Sequence, residues 1–201
     1  MRIHPRIAVV VVSFLVCAAP AVHASYGSKP DMPAPASTSG EAPRANGAAQ
    51  SPREQAEAWY RDAYKDVEKG SSEAAAGKAD NAKKRFQRAL ERSRRSTELD
   101  STYYQAWNLV GFTSRKLGDY PGSFAAYRVA LRLKPDYALA REYYGEGLLE
   151  TGDLAGAKQQ LAALERIGDA AMIGELRGAI AAYEAAHPAA AADSAGANTG
   201  R

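Results

Sequence analysis

Through the middle of the chain, apolar residues recur every three or four positions, and glycine interrupts them at regular points. That spacing predicts amphipathic helices and shows no strand-like alternation. The interruptions come in pairs. Gly70 and Gly77 are seven apart, as are Gly111 and Gly118, and Gly145 and Gly152. Five residues after each second glycine stands a small residue: Ala82, Ser123 or Ala157. Four later comes a large apolar one, Phe86, Tyr127 or Leu161, and three later again Ala89, Ala130 or Leu164. A glycine just past a helix end takes the left-handed C-cap conformation cheaply. Asp119 and Asp153, directly after such glycines, can then start the next helix. The first glycine of each pair falls inside a helix, where it costs about 1 kcal/mol relative to alanine. Close helix–helix approach accounts for it, with the small residues opposite serving the same contact and Phe86, Tyr127 and Leu161 filling the seam. The pattern therefore predicts an all-α chain of three antiparallel helical hairpins.

The last two units lie 34 residues apart, and "LGDY" at Leu117–Tyr120 becomes "TGDL" at Thr151–Leu154. The middle unit supplies Trp107, Val110, Gly111, Ser123, Tyr127 and Pro135; the third supplies Tyr144, Gly145, Ala157 and Leu161. These positions resemble the tetratricopeptide repeat, whose pattern is W-x2-L-G-x2-Y, then A-x3-F, then P. The third unit departs from it, with Arg141 at the tryptophan position and Asp169 at the proline position, and the first unit keeps only its glycines and second-helix seam. The resemblance implies a right-handed superhelical stack of about three hairpins. Two further features modify it. Gly77 and Gly118 are 41 residues apart, not 34, which predicts a second helix in the first unit about two turns longer than its counterparts. Ile173, Leu176, Ile180 and Tyr183 recur at helical spacing and predict a closing helix near 171–186, covering a face that a repeat stack would otherwise expose.

The ends have a different character. Arg2 and Arg6, an apolar run from Ile7 to Ala19, and Val22-His23-Ala24 form the order of a secretory leader cut after Ala24. An uncleaved anchor and lipidation at Cys17 are the alternatives; Val16 is large for the residue before a lipidated cysteine. Residues 25–52 hold five prolines and almost no large apolar side chains, so they read as a linker, with a coil reach of roughly 30 Å. The repeat domain is expected over 53–187, followed by a small-residue tail over 188–201. Loss of the leader would remove Cys17, His4, His23, Arg2 and Arg6. What remains has 24 basic against 23 acidic residues, no cysteine, and a single histidine, His187. A charge near +1 gives no global field for nucleic acid. A cysteine-free exported chain fits a periplasm, or secretion, better than a disulfide-built extracellular domain.

This inventory argues against enzymatic chemistry. Neither a Cys–His nor a Ser–His pair survives in the folded part, and no phosphate-binding glycine loop is present. No cofactor, metal or small-molecule substrate is expected. A binding role is expected instead, as a scaffold or adaptor for a protein or peptide partner in the cell envelope. The family resemblance implies that the first helices line a concave groove. On that face the middle unit places Gln105, Asn108, Phe112 and Arg115, and the third places Leu139, Glu142, Glu146 and Leu149. Asn108 can pair with an extended backbone, Phe112 offers apolar area, and Arg115 offers a planar fork for a carboxylate. All are expected at the surface, and Glu142 and Glu146 read as an exposed acidic face. The lysine- and asparagine-rich clamp that some members of the family use for chaperone tails is not reproduced. The alternative contact is a basic stripe, Lys84, Arg88, Arg92 and Arg95, on the helix expected to be elongated; it suits an anionic envelope polymer or surface.

Overall fold

The computed structural model describes residues 50–188. The expected leader, nearly all of the linker and the tail beyond 188 lie outside them. Among the described residues there are seven α-helices and no strand: α1 Pro52–Ala75, α2 Ala79–Leu99, α3 Tyr104–Lys116, α4 Tyr120–Leu133, α5 Ala138–Glu150, α6 Leu154–Ile167 and α7 Ala170–Ala186. They pair in sequence as α1/α2, α3/α4 and α5/α6, and each hairpin packs on the next through α2 on α3 and α4 on α5. α7 lies against both α5 and α6. None of these helices is long and apolar enough to cross a membrane.

The hairpin turns follow from the glycines. Gly77, Gly118 and Gly152 have φ of 74°, 82° and 86°, the region that side chains disfavour. In the middle turn, Gly118 N–H donates to the Arg115 carbonyl at 2.9 Å and Asp119 N–H to the Ser114 carbonyl at 2.9 Å, the paired bonds of a Schellman ending. Asp119 then accepts from Gly122 N–H at 3.0 Å and Asp153 from Gly156 N–H at 2.8 Å, so one residue closes one helix and caps the next. Lys78 occupies the same place in the first turn and makes no side-chain cap. At the start of α1, Ser51 and Glu54 form a reciprocal capping box before Pro52, so the helix takes in a proline expected to end the linker.

The helix-embedded glycines mark close approach. A Cβ on Gly111 would lie 2.6 Å from the Tyr127 ring, and one on Gly70 would lie 3.0 Å from Phe86. The third unit differs from expectation. A Cβ on Gly145 would meet Leu176 of α7 at 2.6 Å, and Leu161 is only half-buried. The closing helix occupies the seam because Leu176 and Ile180 are the buried anchors of its apolar stripe, with Ile173 and Tyr183 packed beside them. α2 has 21 residues against 14 in α4 and α6, matching the expected two extra turns. α1 is lengthened in parallel, to 24 residues against 13 in α3 and α5. One core, built on Tyr60, Phe86, Tyr103, Phe112, Tyr127 and Tyr143, runs through the first two hairpins into α5. A second, built on Leu148, Leu154, Leu164, Leu176 and Ile180, holds the third hairpin and α7.

Candidate functional site

Two polar regions were expected to carry function, and the fold treats them differently. The inner stripe of α3 and α5 is not a surface. Asn108, Phe112, Arg115 and Glu142 are buried, while Gln105 and Glu146 are half-buried. The cause is local. Gly111 lets α4 come close through Tyr127, and Phe112 sits between Phe86 and Tyr143, with ring centroids 6.3 and 5.1 Å away. The expectation that Phe112 and Arg115 stand free for a partner is therefore corrected: the ring is core, and the guanidinium is committed inside the protein. The reading of Glu142 and Glu146 as an exposed acidic face is corrected as well, since Glu142 is 2% exposed.

Arg115 joins α3 to α5. Its Nη2 donates to Glu146 Oε2 at 2.7 Å and its Nη1 to Glu150 Oε1 at 3.4 Å. The guanidinium carbon also lies 5.8 Å from the Phe112 ring centroid and 5.7 Å from that of Tyr143. Burial opposes the charge on Arg115, but Tyr127, Glu146 and Glu150 outweigh it and hold its pKa above the ordinary value. Burial and then the neighbouring Glu146 push the Glu142 carboxyl up to about 9, against the pull of Arg115. Lys116 is lowered, first by burial and then by Arg115. At neutral pH the seam thus holds a protonated Glu142 beside the pairs that Arg115 makes with Glu146 and Glu150. Arg115, Glu146 and Glu142 come together with Phe112 as a structural polar seam, whereas Asn108 bonds Tyr137 and Gln105 lies at the opposite end of α3.

The basic stripe does face outward. Lys84, Arg88 and Arg95 are exposed and Arg92 is half-buried. Its organising residue is Asp66, 4% exposed, which was not among the expected site residues. Arg92 Nη1 donates to Asp66 Oδ2 at 2.6 Å; Arg85 Nη1 and Arg88 Nη2 reach Oδ1 at 3.1 and 3.5 Å. Arg92 also donates to the Asp62 carbonyl at 3.3 Å, and Arg85 lies 3.7 Å from Glu73. Arg95 pairs with Glu98 at 2.9 Å. One buried carboxylate therefore gathers three guanidiniums. α2 as a whole carries seven basic side chains against three acidic ones. The signal for Asp66 was available: it shares a stripe with Ala63, Val67 and Gly70, and a hairpin closing at Gly77 brings it level with Arg88.

Beside this row stands Trp59, 40% exposed, one of two exposed large hydrophobic side chains among the described residues. Trp59, Asp62 and Asp66 follow one helical stripe. Ala56 is level with Ser96 through a 2.7 Å bond, and Asp62 is level with Arg92, so Trp59 lies between those levels on the arginine side of the hairpin. Among the described residues no group of three or more His, Cys, Asp or Glu side chains is placed to hold a metal ion. No family model matches the chain, and no curated protein matches it significantly.

Proposed function

We propose that the protein is an exported scaffold, periplasmic or secreted, that docks an anionic macromolecular partner along the outer edge of its first hairpin. In this reading the leader is removed, the linker gives the domain reach, and the hairpins stack as a right-handed superhelix in the manner of tetratricopeptide repeats. The repeat spacing, the glycine-closed turns and the capping helix support that architecture. The docking edge rests on one observation: Asp66, with Glu73 beside Arg85, leaves one of the three guanidiniums it gathers unbalanced, a fixed surplus of positive charge on the outer face of α2. Asp66 also pre-orders these side chains, which lowers the entropy cost of binding. Catalysis has no part in this reading.

A second reading keeps a protein or peptide partner in the shallow inner face. Gln105 and Glu146 favour it, because both remain half-exposed above the buried seam. A photo-crosslinking residue placed at Lys84 or at Gln105 in the native envelope separates the two. Capture from position 84, weakening as salt rises, is the expected result. Capture from position 105 alone, insensitive to salt, would sink the edge reading in favour of the inner face.

A further inference from the structure

The arginine edge combines two chemistries, charge and an open aromatic ring, that the anionic-partner reading does not by itself require. We infer that its ligand is an acidic polysaccharide, a polymer of sugar rings bearing carboxylates, with Trp59 as the stacking platform and the α2 row as the carboxylate contacts. The inference rests on the reading above and narrows it.

Three observations point the same way. First, the row already binds a carboxylate. Asp66 takes Arg92 at 2.6 Å and Arg85 at 3.1 Å from within the hairpin, so the guanidinium spacing matches a carboxylate's two oxygens. Arg88 holds Asp66 only at 3.5 Å and its side chain is 50% exposed, which leaves most of its donors facing water. Second, the row is linear. Lys84, Arg88 and Arg95 lie along one straight helix over roughly 16 Å, a length suited to several rings of an extended chain. Third, Trp59 stands on the arginine side while the other large aromatic side chains of α1, Tyr60 and Tyr64, pack inward. An indole exposed beside charged groups gives sugar C–H faces a flat apolar surface while the guanidiniums take the carboxylates.

Competing ligands fit less well. A bilayer surface rewards several apolar side chains that enter the interface. Among the described residues Trp59 has no such company: the other exposed large hydrophobic residue there is Leu133, on α4. A single-stranded nucleic acid would stack on Trp59 but would call for several aromatic platforms along the row. An acidic protein segment would use the arginines and leave the indole open to water.

The test measures binding of the exported chain to polygalacturonate, dextran, inorganic polyphosphate, a single-stranded oligonucleotide and phosphatidylglycerol vesicles, at about 0.1 M salt so that screening is moderate. Polygalacturonate is expected to bind and dextran is not. Trp59→Ala should weaken polygalacturonate binding about tenfold, the effect of one lost contact worth roughly 1.4 kcal/mol, and leave polyphosphate binding unchanged within about twofold. Lys84→Gln/Arg88→Gln/Arg95→Gln should weaken both; it keeps Arg85 and Arg92 on Asp66, so the hairpin remains paired. Trp59 is 40% exposed and belongs to neither core, so its variant carries the test if the triple variant fails, with a thermal melt by circular dichroism checking that it is folded. Polyphosphate binding without polygalacturonate binding overturns the polysaccharide assignment and leaves the anionic edge standing. Stronger binding to vesicles or to the oligonucleotide likewise overturns the assignment. Failure of all four anions removes both.

Discussion

The inner seam and the outer edge are built from the same groups, arginine and carboxylate, and reach opposite states. In the seam one arginine meets two glutamates, and the guanidinium is fully enclosed. At the edge three arginines meet one aspartate, with Glu73 also beside Arg85, and it is the Asp66 carboxylate that is enclosed, while the arginine side chains keep 29–50% of their surface open. The difference lies in which partner the backbone buries. Where helices close on the cation, charge is used up in holding α3 to α5. Where they close on the anion, the cations are held from behind and still face outward. A buried ion pair can be strongly destabilising to break and yet contribute little net stability, so the seam is better read as an alignment device than as a source of stability.

Removing the seam's own anchors should have the largest effect. Arg115→Ala strands Glu146 beside a buried Glu142, and should cost about 3–5 kcal/mol in urea unfolding. Phe112→Ala opens a hole between Phe86 and Tyr143 and should cost about 3–5 kcal/mol as well. Were these two residues surface contacts, either change would leave the unfolding midpoint almost unmoved. A loss below about 0.5 kcal/mol in both would return them to the groove and erase the difference between seam and edge.

Repeat-level features of the fold were legible because each has a short-range cause. Glycine pairs seven apart mark turns, and Leu176 and Ile180 are apolar at helical spacing. The 41-residue interval gave the extra turns of α2 but not those of α1, since length added before the first glycine leaves no trace in the interval. The site was less legible. A stripe of Asn108, Phe112 and Arg115 has the same spacing whether it faces a groove or a neighbouring helix. What decides is how near the next helix comes, and the sequence offered that clue only indirectly, in Gly111 and Gly147. A Cβ on Gly147 would sit 3.0 Å from Phe124 and 3.2 Å from Arg115. Asp66 shows the converse. Read alone it is an unremarkable acid; read with the hairpin register it is the centre of the arginine row.

An intermediate effect should appear in the seam's response to pH. Glu142 titrates from an ordinary 4.5 when unfolded to about 9 when folded. Between those values the folded chain binds the extra proton, so stability attached to this group is full below the unfolded value and declines as pH rises toward 9. The decline should be on the order of 1 kcal/mol per pH unit between about pH 6 and 8. Glu142→Gln keeps the size and neutrality of the protonated side chain and should flatten that part of the profile. Identical slopes in the wild type and Glu142→Gln would mean that Glu142 is ionised in the folded seam, facing Glu146 as a charge.

The smallest expected change in folding belongs to the outer row, and it completes the contrast. Replacing Lys84, Arg88 and Arg95 together with glutamine removes three charges from one helix. Lys84 is exposed, Arg88 meets Asp66 only at 3.5 Å, and Arg95 pairs with Glu98 on the surface. Exposed pairs of this kind contribute about 0–1 kcal/mol, and relief of repulsion among the basic neighbours works in the opposite direction. The unfolding free energy should therefore shift by less than about 0.5 kcal/mol. Asp66→Ala is the internal standard, because it removes the enclosed partner and leaves Arg85 and Arg92, two turns apart on α2, without their shared carboxylate. Their side chains reach water, which limits the loss to about 1–2 kcal/mol, well below that for Arg115→Ala. The expected order is then Arg115→Ala, Asp66→Ala and the triple variant, from most to least destabilising. If the triple variant cost as much as Asp66→Ala, the row would be cement for the first hairpin and not a surface held ready, and the anionic partner would have to be sought elsewhere on the molecule.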